Sequence, residues 1–139
     1  MNMSHQTVLN LINELKYLSE ATNDINQLIP DYYLKFLMSG NPKQYHGKVF
    51  DFRVNGKKQQ SDTAAFFTLL GSKDIQIEYM FNIVRDRIPE GMLPIANDSY
   101  GNLVLLNFAS ARVYFWDHEI EKTYLISSSF TEFLNSLHD

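Results

Sequence analysis

The stretch from Ile88 to Glu119 constrains the fold of this chain more than any other part of its sequence. It begins with a proline-bounded apolar run, which is followed by a polar turn at residues 97–101 and by a second apolar run. The sequence VYFWDHE closes the stretch. Short apolar runs separated by Asn, Asp and Gly are typical of consecutive strands joined by tight turns. We therefore predict a β-meander here, with polar side chains at its rim.

The N-terminal half has two helical patterns and one hairpin pattern. Apolar residues recur with helical spacing over residues 5–20, and Ser4 is a suitable N-cap, so we predict an amphipathic helix there. A second helix is predicted over residues 30–40, which begin with proline and end with glycine. The period changes from Gly47, and alternation over residues 50–54 leads into Asn55-Gly56, whose residue types favour the positive φ angles of a hairpin turn. A β-hairpin is therefore predicted after the two helices.

Two later segments need more argument. The return strand of the hairpin is predicted to start at Lys57 and to continue to Gly71, but residues 62–70 also fit a helix, and both alternatives stay open. Residues 74–86 have an apolar stripe with helical spacing. Because a residue that precedes proline avoids helical backbone, we expect that helix to end before Ile88.

The C-terminal third completes the order of elements. Strands are predicted over residues 93–96, 102–108, 112–117 and 123–127. Ser129 and Glu132 form the S-x-x-E pattern of a capping box, which predicts a C-terminal helix. The whole order indicates an α+β fold, with a mostly antiparallel or mixed twisted sheet on which N-terminal helices and a C-terminal helix pack. The length of 139 residues suits a single domain over residues 1–139.

Charge is distributed unevenly along the chain. The formal net charge is −4, and residues 90–139 hold only Arg112 and Lys122 against seven acidic residues. Nucleic-acid binding is therefore disfavoured, because phosphate neutralisation needs clustered cations. A basic protein partner would instead be attracted to the acidic C-terminal third.

Residue usage also bears on the compartment. The chain has no cysteine, which excludes disulfides and thiol nucleophiles and fits a reducing cytoplasm. No secretory signal is readable at the N-terminus, and no apolar run approaches the roughly 20 residues that cross a bilayer. We expect a cytoplasmic protein that does not associate with membranes.

The sequence Asp117-His118-Glu119 is the densest group of polar side chains. Side chains alternate along a strand, so the two acids would share one face while His118 points to the other. An enzyme using Asp98, Asp117 and His118 is one hypothesis, but the chain has none of the common nucleophile, phosphate-loop or metal-ligand motifs. We expect no catalytic residue, no metal, no cofactor and no enzymatic activity.

A partner-binding surface is the second interpretation of the same region. Trp116 lies in the apolar run VYFW, where it fits either the core or an interface, and tryptophan is enriched in binding hot spots. Charges at the border of an interface steer and orient a partner. The residues predicted to bind a partner are Asp98, Tyr100, Trp116, Asp117 and Glu119.

Four segments give the chain a resemblance to the SUKH superfamily of Smi/Knr-type domains. They occur in the family's order and are IPDYYLKFL (residues 29–37), IPEGMLPIANDSYGN (88–102), VYFWDHE (113–119) and SSFTEFLNSL (128–137). This superfamily includes fungal cell-wall-assembly regulators and many bacterial toxin-immunity proteins. The resemblance implies a SUKH-like α+β fold and a binding domain without catalytic activity.

The resemblance leaves two binding functions to compare. Bacterial members look like immunity proteins that bind and neutralise a cognate toxin, such as a basic nuclease, and the small size of this chain favours that kind. The alternative is a general regulatory protein-interaction module of the cell-wall-assembly-regulator type. In either case we expect a monomer or weak dimer.

Overall fold

The computed structural model of the protein describes residues 42–69 and 72–139, together with residues 4–7, 10, 13, 33 and 35–37. Within these residues the chain forms the α-helices α1 (Ile77–Val84) and α2 (Phe130–Ser136), with 3₁₀ helices at Pro42–Tyr45 and Lys73–Ile75. The strands are β1 (Lys48–Val54), β2 (Lys57–Thr63), β3 (Ala65–Phe66), β4 (Met92–Asn97), β5 (Leu103–Asn107), β6 (Val113–Asp117) and β7 (Lys122–Ser127). The predicted α+β class is confirmed.

Two antiparallel sheets contain the described strands. β1 and β2 form a two-stranded sheet, and β3 to β7 lie side by side in sequence order in a five-stranded sheet. The predicted meander is confirmed, because β4, β5 and β6 pair consecutively with antiparallel register. In such a sheet successive turns alternate between the two ends. The β4–β5 turn and the β6–β7 turn therefore lie at the same end.

The hairpin between β1 and β2 is also confirmed. Asn55 has a φ of 52° and Gly56 a φ of 79°, as the Asn-Gly pair predicts. The β1 residues that face the core are phenylalanines: Phe50 is fully buried and Phe52 is nearly so. Phe52 stacks on Phe115 of β6 with ring centroids 4.3 Å apart. This contact holds the two-stranded sheet against the five-stranded one.

The helical alternative for residues 62–70 is wrong over its described part, residues 62–69. The continuous return strand is also wrong, because β2 ends at Thr63 and the chain bends at Ala64 into the other sheet. The Thr63 hydroxyl is buried and donates to the Tyr45 carbonyl at 2.6 Å, which fixes the end of β2. The Ala64 amide then donates to the Asn97 carbonyl of β4.

The predicted helix over residues 74–86 is shorter in the structure. Residues 73–75 form a 3₁₀ helix, and Gln76 has extended backbone that bridges Thr68, so α1 begins at Ile77 and ends at Val84. The predicted cap of α2 is confirmed, since the Ser129 side chain accepts from the Glu132 amide at 3.1 Å. The Glu132 carboxylate contacts the Ser128 hydroxyl, so the reciprocal bond of a full capping box is replaced.

The predicted N-terminal helices lie mostly outside the described residues. Residues 5–7, 10 and 13 are helical, and the Ser4 hydroxyl accepts from the Thr7 amide at 3.1 Å, as the predicted N-cap requires. Residues 33 and 35–37 are helical as well. Tyr33 and Phe36 contact the ring of Phe130 at 5.0 and 5.1 Å, so this segment packs on α2.

The turn between β5 and β6 contains a strained residue. Ala111 has a φ of 64°, which is unfavourable for a residue with a Cβ atom by roughly 1–2 kcal/mol. We expect Ala111→Gly to raise the free energy of unfolding by about 0.5–1 kcal/mol in urea titration, after the greater entropy of the unfolded glycine is subtracted. The matched control Ala109→Gly lies in the same turn without positive φ and should lower stability. Equal effects of the two substitutions would contradict this assignment of strain.

Candidate partner-binding site

The β4–β5 turn (residues 98–102) and the β6–β7 turn (residues 118–121) lie beside each other at one end of the five-stranded sheet. Strand β2 of the hairpin borders them, because Ser61 bonds to Asp98 and the Asp62 carboxylate accepts from both the amide and the hydroxyl of Ser99. These three segments together form the rim of the site. Hydrogen bonds within the rim fix its shape.

Asp98 is the centre of the rim and faces inward. The residue is 5% exposed, and its carboxylate accepts four hydrogen bonds. One oxygen accepts from the amides of Tyr100 and Asn102 at 2.9 and 2.8 Å, and the other accepts from the Ser61 hydroxyl at 2.6 Å and the Asn102 side-chain amide at 3.0 Å. A buried carboxylate with this many donors is a structural group that closes the turn.

Asn102 extends this network to the β6–β7 turn. Its Oδ1 accepts from the His118 backbone amide at 3.1 Å and lies 2.6 Å from His118 Nδ1, so Nδ1 carries the proton. Gly101 has a φ of 87°, and a Cβ atom there would lie 3.3 Å from the imidazole. The His118 ring therefore fills the space that glycine leaves in the neighbouring turn.

The acidic residues of the sequence DHE do not share this environment. The Asp117 carboxylate accepts from the Glu119 amide at 2.9 Å, while the imidazole of His118 is bonded to Asn102. The strand alternation on which the predicted separation of His118 from the acids was based does not extend to these residues, because β6 ends at Asp117 and residues 118–121 form the turn.

Trp116 lies on β6, and its side chain is buried, with 1% of the residue exposed. The Arg87 guanidinium covers its ring at 5.1 Å and also donates to the His118 carbonyl at 2.8 Å and to Glu121 at 3.2 Å. Arg87 thus ties the end of β6 to the β6–β7 turn. Trp116 contributes to the rim by supporting it, since its own surface is covered.

The outward side of the rim has two large apolar side chains. Tyr100 is 72% exposed and Ile120 is 54% exposed. Between them and the hairpin lies a groove of about 400 Å³, which we call the rim groove. Its lining includes Phe52, Gln60, Tyr100, Phe115, Ile120 and Tyr124. Exposed apolar side chains that border a concave surface are a feature of protein interaction sites.

Sequence comparison identifies the family. The profile of the SMI1/KNR4 family (SUKH-1) matches residues 14–136. The chain belongs to the SMI1/KNR4 family. This SUKH-1 protein is also similar to the SPbeta prophage-derived uncharacterized protein YokK of Bacillus subtilis (strain 168), with 25% identity over 151 aligned residues that cover 92% of this chain and 76% of the relative. No solved structure matches this chain.

The SUKH-1 chain has a second groove on the other side of β1. It measures about 660 Å³ and is lined by Asp51, Phe52, Arg53, Lys58, Leu125 and Ile126. A hydrogen bond from Gln60, with His138 and Lys58 nearby, holds the pKa of the Asp51 carboxyl below its ordinary value. In this groove Asp51 and Lys58 pair with each other, and Arg53 donates to the Gly56 carbonyl.

The structure divides the five residues predicted to bind a partner. Tyr100, Asp117 and Glu119 lie on the outward side of the rim, whereas Asp98 and Trp116 are buried and support it. Sequence reasoning missed Ile120, Gln60 and Arg87, which line or brace the same rim. Ile120 had a readable signal, because it is a single apolar residue in an otherwise charged turn. No helix among the described residues is long and apolar enough to cross a membrane.

Proposed function

We propose that this SUKH-1 protein is a cytoplasmic immunity protein that binds and neutralises a cognate toxin without catalysis. The observation that carries the proposal is the exposed pair Tyr100 and Ile120, held on a rim whose β4–β5 turn is fixed by hydrogen bonds to the buried Asp98. A preorganised surface binds more tightly because less conformational entropy is lost on association. A protein that neutralises a toxin by binding needs such tight association.

The polar groups of the rim favour binding over chemistry. The four hydrogen bonds of Asp98 occupy both of its oxygens, and the imidazole of His118 is held by Asn102. A catalytic acid or base needs a free position within hydrogen-bonding reach of a substrate. We therefore assign the Asp98 carboxylate to support of the surface, and His118 braces the β6–β7 turn through the contact of its Nδ1 with Asn102.

The family and the relative support the toxin-immunity form of the proposal. The resemblance links bacterial SUKH proteins to neutralisation of toxins, and the similar protein YokK is prophage-derived. A toxin that cleaves nucleic acid has a cationic cleft, which the acidic C-terminal third of this chain would attract. A nuclease is therefore the first toxin class to test.

The second groove favours a second candidate function, a regulatory module with several protein partners. The rim groove and this second groove share Phe52 but are otherwise lined by different residues. Two separate concave surfaces would allow two partners to bind one domain. The number of partners therefore separates the two functions.

Co-expression with the product of the adjacent gene tests the proposal. We expect that product to arrest growth alone, and growth to be restored when this chain is co-expressed and forms a stable complex with it. A toxin from an unrelated locus is the control and should remain toxic. An adjacent product that is neither toxic nor bound would contradict the immunity function, and recovery of several weak partners instead would support the regulatory module.

A further inference from the structure

We propose that the rim groove binds an extended segment of the partner that carries a lysine or arginine two residues from an apolar residue, so that both side chains lie on the same face of the segment. The identity of the partner rests on the proposed function, but the chemistry of the segment follows from the groove itself. Three features of the described residues specify it: an apolar surface, two carboxylates that form no ion pair among those residues, and a strand edge that no described strand covers.

The apolar surface has a rigid floor and exposed sides. Phe52 and Phe115 form the floor, where their rings are stacked and almost fully buried. Tyr100 and Ile120 rise from the two turns at the sides, and their backbones are fixed by the network of Asp98 and by the turn bond from Glu121 to Asp117. Such a surface favours an aliphatic side chain or the methylene stem of a long cationic one.

Asp117 lines the rim groove, and Glu119 lies in the β6–β7 turn between Asp117 and Ile120, so these two carboxylates give this end of the groove its charge. Neither carboxylate has an ion-pair partner within the described part of the chain, whereas Glu121 is paired with Arg87. Lys122 lies opposite Asp117 in the β6–β7 register but makes no ion pair with it. A partner's cation placed here would neutralise charge that the described part of the chain leaves without an ion pair.

The open edge of β2 requires the bound segment to be extended. Val49 exchanges both backbone hydrogen bonds with His138, so alternate residues of β1 point their amides and carbonyls away from β2. Gln60 and Lys58 are the register partners of Asp51 and Arg53, so their amides and carbonyls point away from β1. Among the described strands β2 pairs only with β1, and Gln60 also lines the rim groove. A partner strand added at this edge would lie along the groove.

The first test uses synthetic peptides as probes of the full chain. The probe is an end-capped pentapeptide, Thr-Leu-Thr-Arg-Thr, together with the same peptide carrying neutral citrulline in place of arginine. In amide NMR titrations we expect the arginine peptide to shift Gln60, Tyr100 and Ile120 and to bind about tenfold more tightly than the citrulline peptide. Shifts confined to other surfaces, or equal binding of the two peptides, would overturn the proposal.

Matched variants give the second arm. Asp117→Asn with Glu119→Gln should weaken binding of the arginine peptide about tenfold, and Tyr100→Ala should weaken both peptides. Asn at position 117 keeps the oxygen that accepts from the Glu119 amide, so the turn is preserved. The control pair Asp74→Asn with Glu132→Gln makes the same change of net charge at exposed positions that do not line the groove. Equal loss in the control pair would show a general charge effect and overturn the site.

Toxin neutralisation separates this inference from the function on which it rests. If the chain protects cells from the adjacent gene product, Asp117→Asn with Glu119→Gln should reduce protection and the control pair should not. Full protection and unchanged affinity in the groove variants would leave the immunity function standing and remove the groove as its site. Peptide binding at the groove, with an adjacent gene product that is not toxic, would support the groove as a binding site and contradict the immunity function.

Discussion

Asp98→Ala should lower the free energy of unfolding by about 3–5 kcal/mol, because it leaves four donors without an acceptor in a buried turn. Those donors are the Ser61 hydroxyl, the amides of Tyr100 and Asn102, and the Asn102 side chain. A loss of this size is a large part of the roughly 5–15 kcal/mol that stabilises a typical domain. Urea denaturation followed by circular dichroism measures it directly.

The control for Asp98→Ala is the same substitution at Asp86, which is exposed. We expect that variant to stay within about 0.5 kcal/mol of the parent. Asp98→Asn should be intermediate, because one amide oxygen still accepts while the new NH₂ group faces donors. Equal stability of Asp98→Ala and Asp86→Ala would show that the hydrogen-bond network does not hold the rim.

Trp116→Ala should also lower stability by about 3–5 kcal/mol, since it removes the largest buried side chain and leaves a cavity beneath Arg87. This result decides between the two roles that the sequence allowed for Trp116. An interface anchor would lose partner binding while the free protein kept its stability. A core residue loses stability first, as the 1% exposure indicates. Thermal unfolding of the free protein is sufficient to distinguish them.

Trp116→Phe is the matched substitution for that experiment. The Nε1 atom of Trp116 is buried without a hydrogen-bond partner, so phenylalanine removes an unsatisfied donor while it keeps an aromatic ring. We expect its loss of stability to be at least about 1 kcal/mol smaller than that of alanine. An equal loss from both substitutions would mean that the indole's polar atom, and not its volume, is what the site requires.

Local patterns predicted most of the described fold, because each rested on a backbone requirement that few residues satisfy. Asn55-Gly56 predicted its hairpin through positive φ, and Ser129 predicted the start of α2 through its cap. The change of sheet at Ala64 was not predictable in this way. It depends on the buried bond between Thr63 and Tyr45 and on pairing with β4, both of which join residues distant in sequence.

The site was predictable only in outline for a related reason. Residue types placed Asp98 and Trp116 at a polar rim, but exposure is set by tertiary contacts. Asp98 is buried because the hairpin brings Ser61 against it, and Trp116 is buried because Arg87 covers it. Neither contact leaves a periodic signal in the sequence. Tyr100 is exposed for the complementary reason, since the turn directs its backbone amide inward and leaves its side chain outside.

The rim separates the residues that build it from the residues that it displays. Asp98 and Asn102 hold the β4–β5 turn, while Tyr100 between them faces outward; in the next turn His118 is held and Glu119 and Ile120 are displayed. Substitutions at the displayed positions leave the supporting bonds intact. A chain of this design can exchange one partner for another by a few surface mutations at little loss of stability, so its specificity can diversify faster than its fold.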